Sequence, residues 1–161
     1  MPEALRILHT PIGPLRARAD ESSLLELTFD QGRAPAPCRS KILDLLEQEL
    51  SGYFSGKRRH FTIPLRLDPS RNTPFQIAAW RALQTIPYGQ TLSYRDQAAR
   101  IGRPGATRAV GSANGANPFP ILIPCHRVIR SDGTPGGYAG GLRVKTARLE
   151  LEHGFSGEVF R

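Results

Sequence analysis

Cysteine, methionine and tryptophan are scarce in this chain: two, one and one in 161 residues. Cys38 and Cys125 can form one bridge at most, so a disulfide framework is excluded as the source of stability. The four histidines (His9, His60, His126, His153) show no paired ligand spacing with them, and neither a metal nor a cofactor is expected. No apolar run approaches the roughly 20 residues that span a bilayer, so no membrane association is expected. Met1-Pro2-Glu3-Ala4 lacks the basic-then-apolar order of a secretory signal, which makes a reduced, cytoplasmic protein the expectation.

Acid is missing from one half. Residues 1–70 balance at +1, whereas residues 71–161 carry +7 of the net charge of +8. Between Asp96 and Asp132 stand five arginines (Arg100, Arg103, Arg108, Arg127, Arg130) and no carboxylate. A one-sided basic field attracts polyanions, nucleic acid being the commonest; a solvated basic face is the alternative.

What is present suffices for a core, at 39% hydrophobic residues, in one domain or two small ones. Residues 5–10, 15–19 and 24–29 read as strands of an antiparallel meander, the second with clear period-two alternation. After the Pro-rich loop holding Cys38, Ser40 is a candidate cap for a helix to about Phe54, with an apolar stripe through Leu43, Leu46, Leu50 and Tyr53. Residues 61–65 are a candidate edge strand, and residues 67–72 a linker. The expectation is an α+β (α/β-class) chain. A small antiparallel sheet-plus-helix domain at 1–70 supports a mostly helical domain at 71–161.

In that second half, Thr73-Pro74-Phe75-Gln76 is a capping box with proline at the first helical position, opening a helix to about Ile86. Ser93 caps a short helix ending near Ile101-Gly102, and a third runs from about Ala106 to Ala116. Two short helices around a tight turn have the spacing of a helix-turn-helix. The third is rich in small residues (Ala109, Gly111, Ser112, Ala113, Gly115), which permits close approach either to the protein's own core or to a nucleic-acid backbone. A final helix, about 142 to 153, carries Lys145, Leu149 and Glu152 on one face.

The run Ile121-Leu122-Ile123-Pro124-Cys125-His126-Arg127-Val128-Ile129 places three ionisable groups inside an apolar stretch, which costs free energy unless they are paired. Cys125 is a candidate nucleophile, activated if a nearby cation or base lowers its pKa from about 8.5. The alternative is a small buried hydrophobe.

Pro124-Cys125-His126-Arg127-Val128-Ile129 resembles the active-site motif of the O6-alkylguanine-DNA alkyltransferases. So do Ile86-Pro87-Tyr88-Gly89 with Ser93-Tyr94, Arg108-Ala109-Val110-Gly111 through Asn117-Pro118, Tyr138-Ala139-Gly140-Gly141-Leu142 with Lys145, and the segment around Glu152. The resemblance covers about residues 73–154. It implies a monomer that binds duplex DNA, flips out an O6-alkylated guanine (and takes O4-alkylthymine) and moves the alkyl group irreversibly onto Cys125. It further implies that His126, held by Glu152, takes the thiol proton through a water, that Tyr94 protonates the leaving base, and that Asn117 holds the turn carrying Cys125. Val128, Tyr138 and Ala139 would form the base pocket, with the main chain of Cys125, Val128 and Ala139 reading the base. Arg108 would fill the gap in the stack, and Arg95, Arg103 and Ser131 would touch the backbone. The chain departs from the pattern in three places. It lacks the N-terminal cysteines and histidines of zinc-binding members, has Ala139 where some relatives have serine, and inserts His153 after Glu152, leaving Glu150 as an alternative.

Three rival readings remain. A cysteine hydrolase would need a donor pair for an acyl oxyanion and leaves the arginine-rich helices unexplained. A lesion sensor or plain DNA-binding regulator would need no acceptor cysteine.

Overall fold

Period-two alternation in the first thirty residues becomes a three-stranded antiparallel sheet of order β1 (Ala4–Thr10), β2 (Gly13–Ala19) and β3 (Leu24–Thr28). The computed structural model describes residues 3–29, 32–33, 35–138 and 141–156, and the chain divides into two compact units, Met1–Leu67 and Asp68–Arg161.

In the first unit, Leu15, Ala17 and Ala19 of β2 all point into the core, as side chains two apart on a strand must. Helix α1 (Lys41–Phe54) starts where Ser40 accepts from the Leu43 amide and buries Leu43, Leu46, Leu50 and Tyr53. The edge strand expected at 61–65 is reduced to one parallel bridge, Leu24 to Leu65. Pro64 has no amide proton to extend a ladder; its carbonyl accepts from Leu24, and Leu24 accepts from Arg66. The segment is held instead by Glu49, a fully buried carboxylate that accepts from the Thr62 and Ile63 amides and pairs with Arg58 at 2.7 Å.

The second unit opens with α2 (Pro74–Leu83), whose capping box makes both reciprocal bonds between Thr73 and Gln76. It stops three residues before the expected Ile86, where successive turn bonds from Gln84 to Ile86 tighten the chain ahead of Pro87. Ser93 caps α3 (Tyr94–Arg100), the turn reverses through Gly102 at φ +75°, and α4 (Thr107–Gly115) follows. Trp80 Nε1 donates to the Ala113 carbonyl at 2.7 Å, and the buried amides of Gln97 and Asn114 exchange two hydrogen bonds, fixing α2, α3 and α4 together. Two-residue strands β4 (Leu92–Ser93) and β5 (Val128–Ile129) pair in parallel, and α5 (Leu142–Ser156) closes the described chain. Among the described residues no helix is long and apolar enough to cross a membrane. The α+β architecture is the one expected.

Candidate active site and nucleic-acid interface

The path from α4 to the cysteine is built on one asparagine. Asn117 Nδ2 donates to the Ile123 carbonyl at 2.8 Å and to Cys125 Sγ at 3.2 Å, while its Oδ1 accepts from the Phe119 amide. Between these anchors Ile121 sits at φ +76°, the left-handed region that a β-branched side chain avoids. Such strain persists where surrounding contacts over-determine the backbone, and it clusters at functional sites. The chain then delivers Cys125, His126 and Arg127 on a single 3₁₀ turn, Cys125–Arg127, with all three side chains buried.

Cys125 lies on a cavity of about 570 Å³ walled by Tyr94, Arg108, Asn114, Arg130 and Tyr138, with Gly111, Gly115, Gly136 and Gly137 leaving room in it. The condition set for an activated thiol, a pKa lowered overall, is not met at rest. Burial pushes it up, and the Asn117 bond and the Lys145 charge only partly oppose this. Cys125 therefore rests as a thiol and needs a base to give up its proton.

The candidate base stands next in sequence. His126 is fully buried, and burial pushes its pKa down in spite of Glu152, so the ring is neutral at pH 7. Nε2 lies 2.8 Å from Glu152 Oε1. A carboxylate only accepts, so the ring proton sits on Nε2 and Nδ1 presents a lone pair. Nδ1 is buried with no hydrogen-bond partner among the described residues. Burial raises the Glu152 pKa, but His126 and Arg127 outweigh it and hold the carboxyl at about 2. Glu150, the alternative, is exposed.

Sequence reasoning missed Arg127. Its Nε donates to both Glu152 oxygens at 3.0 Å, Nη2 donates to Oε1 at 2.7 Å, and Nη1 donates to the Ile86 carbonyl at 2.7 Å. The signal was available: it is the third ionisable group in an apolar run, and a buried cation needs a buried anion.

Tyr94 forms the other wall, with Lys145 buried behind it. Lys145, Leu149 and Glu152 are all buried, the single face their spacing predicts. Lys145 Nζ donates to the Gly137 carbonyl at 3.1 Å and to the Tyr94 hydroxyl at 3.3 Å, and burial lowers its pKa to about 8. The Tyr94 hydroxyl donates to the Gly137 carbonyl at 3.4 Å, and burial, then Cys125, raises its pKa.

The remaining expected residues divide. Tyr138 lines the cavity. Val128 does not: its side chain is in the core and its amide donates to the Cys125 carbonyl. Ala139 lies outside the described residues. Arg95, Arg103, Arg108 and Ser131 are exposed, on α3, on the turn after it, on α4 and on the turn after β5. Of the small residues of α4, Ala113 packs under Trp80, while Ala109, Ser112 and Gly115 face outward.

Residues 74–154 match the family model described as 6-O-methylguanine DNA methyltransferase, DNA binding domain, and residues 5–67 match that family's ribonuclease-like domain. The chain belongs to this methyltransferase family. The methylated-DNA–protein-cysteine methyltransferase of Mycobacterium tuberculosis is 44% identical over 152 residues, covering 91% of this chain and 90% of the relative. That of Methanosarcina barkeri is 45% identical, covering 91% and 94%. Among solved structures, M. tuberculosis O6-methylguanine methyltransferase superposes with a TM-score of 0.84 at 41% identity over 95% of this chain and 94% of that one. The M. tuberculosis OGT in complex with DNA gives 0.84 at 42%, over 94% and 93%. Cys125, His126, Arg127 and Glu152 all fall inside the stretch matching the methyltransferases' DNA binding domain.

Proposed function

We propose that this chain is a direct-reversal DNA repair protein that transfers the alkyl group of O6-alkylguanine in duplex DNA onto Cys125. The observation carrying the reading is a buried thiol on the floor of an open cavity, beside a neutral histidine whose far nitrogen is held by a buried carboxylate. This is the nucleophile, base and orienting-acid arrangement.

Arg95, Arg103 and Ser131 contact the phosphate backbone, and Arg108 enters the stack as the damaged guanine turns into the cavity. Unstacking costs a few kcal/mol, least for a poorly paired base. Tyr138 and the main chain around Val128 and Ala139 hold the base. His126 Nδ1 takes the Cys125 proton through a bridging water, the sulfur attacks the alkyl carbon in line, and the carbon–O6 bond breaks. Tyr94 donates its proton to the departing guanine, which leaves as the normal base. Displacement at an sp3 carbon develops no acyl oxyanion, which disfavours a hydrolase. The thioether has no good leaving group, so each molecule acts once. O4-alkylthymine is a second substrate by the same chemistry. No cofactor enters this balance. Residues 1–70 support the reacting domain, the protein acts as a monomer, and its place is the cytoplasm, in keeping with two free cysteines.

Intact-protein mass after mixing with O6-methylguanine duplex tests this. One methyl per molecule, mapped to Cys125 and lost in Cys125→Ser with DNA affinity retained, supports transfer. Lesion-selective binding with unchanged mass would make the protein a sensor.

A further inference from the structure

Two cations line the acceptor cavity and a third lies behind its wall, and the carboxylate that feels Arg130, Asp132, stands outside the lining. Arg108 and Arg130 line it, and no aspartate or glutamate does. Lys145, fully buried behind Tyr94 and Gly137, has only neutral oxygens as hydrogen-bond partners. Among the described residues neither Arg130 nor Lys145 has a carboxylate within ion-pair distance. For Lys145 such burial is costly, and a ligand that brings the opposite charge into the cavity recovers part of that cost.

Arg130 is the accessible member of the set. It is exposed, follows directly on β5, and its backbone is pinned by the bonds from its amide to the Thr134 carbonyl and from the Gly133 amide to its own carbonyl. Asp132 shapes the same turn by accepting from the Thr134 amide and hydroxyl. The guanidinium is therefore presented at the cavity from a fixed turn. Its charge is felt within the site, where it disfavours protonated Lys145 and favours ionised Tyr94.

We propose that Arg130 is a specificity-determining residue that favours O6-alkyl groups bearing a carboxylate, such as carboxymethyl, over neutral groups of the same size. The proposal rests on the alkyl-transfer reading and goes beyond it to the substrate's charge. With the flipped base in the cavity, the alkyl carbon faces the Cys125 sulfur and the carboxylate is held by the guanidinium in a charge-assisted hydrogen bond, with Lys145 adding to the field from behind. The bond made is sulfur to the methylene carbon, and the bond broken is that carbon to O6. The thiol proton leaves to the histidine as for a methyl group, so the product is S-carboxymethylcysteine and guanine. Arg108 contributes less to this discrimination, because on the alkyl-transfer reading it enters the base stack.

The test is a charge-swap cycle on the intact protein with three duplexes carrying O6-methylguanine, O6-carboxymethylguanine or its neutral isostere O6-carbamoylmethylguanine. Single-turnover rates are read by mass. Dividing the carboxymethyl by the carbamoylmethyl rate, and comparing wild type with Arg130→Gln, cancels the intrinsic reactivities of the two groups. That ratio is expected to fall about tenfold in the variant, the size of one charge-assisted bond, and to recover in part in Arg130→Lys. An unchanged ratio overturns the proposal. So does an equal fall for all three adducts, which would make Arg130 a phosphate contact. If wild type alkylates itself with none of the three, the transfer reading fails; if it takes methyl but neither larger group, only the present proposal fails.

Discussion

Asn117 donates from one amide nitrogen to the Cys125 sulfur at 3.2 Å and to the Ile123 carbonyl at 2.8 Å, so the residue that ends the helix-turn-helix also holds the proposed nucleophile. The bond to sulfur favours thiolate over thiol, against the burial that favours thiol. Asn117→Ala removes both bonds and leaves the Phe119 amide without its acceptor. It is expected to cost about 1–3 kcal/mol of stability and to slow alkyl transfer at least tenfold at neutral pH. Denaturant melts and single-turnover rates measure the two separately. Normal transfer in a destabilised variant would show that Asn117 only supports the turn.

Arg127, Glu152 and His126 make stability depend on acid. Glu152 is held at about 2 against an ordinary value of 4.5, so the folded state binds fewer protons than the unfolded chain between those values. Its contribution is complete above about pH 4.5 and is lost as pH falls towards 2, on the order of 3 kcal/mol. His126, lowered from 6.5 by burial, acts in the same direction, losing stability as pH falls below its ordinary value. Chemical denaturation from pH 7 to pH 2 should show this decline, and Glu152→Gln should flatten its lower part. A variant with the wild-type acid profile would assign the loss to other carboxylates. Arg127→Met strands the buried Glu152 charge and is expected to cost about 3–5 kcal/mol.

Much of this was legible in the chain because local signals agreed with the global fold. The β2 alternation, the Ser40 cap and the Thr73–Gln76 box each specify an element by short-range chemistry, and each formed. The 124–129 motif pointed to Cys125 and His126, which the fold buries side by side on one turn. What could not be read depends on contacts distant in sequence. Glu49 reaching residues 62 and 63, and Arg127 reaching Glu152, are pairings that no periodicity encodes. β4 and β5 are two residues each, too short for a period. The thiol's raised pKa likewise depends on how deeply the turn is buried, which the adjacent histidine and arginine do not disclose.

Gly136 is tied to Tyr94. Its φ is +74°, and a Cβ there would lie 2.9 Å from the tyrosine hydroxyl. Gly136→Ala therefore strains the backbone by about 1–2 kcal/mol and pushes against the proposed proton donor. The expected result is a modest drop in melting temperature with a disproportionate loss of transfer rate, larger for bulky alkyl groups than for methyl. A loss of rate equal for all groups would point to displacement of Tyr94 alone, without narrowing of the cavity.

Lys145 separates stability from activity. Its ammonium is buried without a carboxylate among the described residues, an arrangement that opposes folding. Burial lowers its pKa from 10.5 to about 8, so the folded state again binds fewer protons than the unfolded chain. The cost is full below about pH 8 and disappears as pH rises past the unfolded value. Lys145→Met keeps the length of the side chain and discards the charge. At neutral pH the variant is expected to be more stable than wild type by about 1–3 kcal/mol, with the gap narrowing between pH 8 and 10.5. Alkyl transfer should nevertheless fall at least tenfold, because the Cys125 thiolate loses a neighbouring cation and the Tyr94 hydroxyl loses its donor. Paired melts across that pH range, with methyl transfer rates at pH 7, decide it. A variant both less stable and less active would make Lys145 a structural pillar, whereas greater stability with lost activity is what a cation retained for chemistry requires.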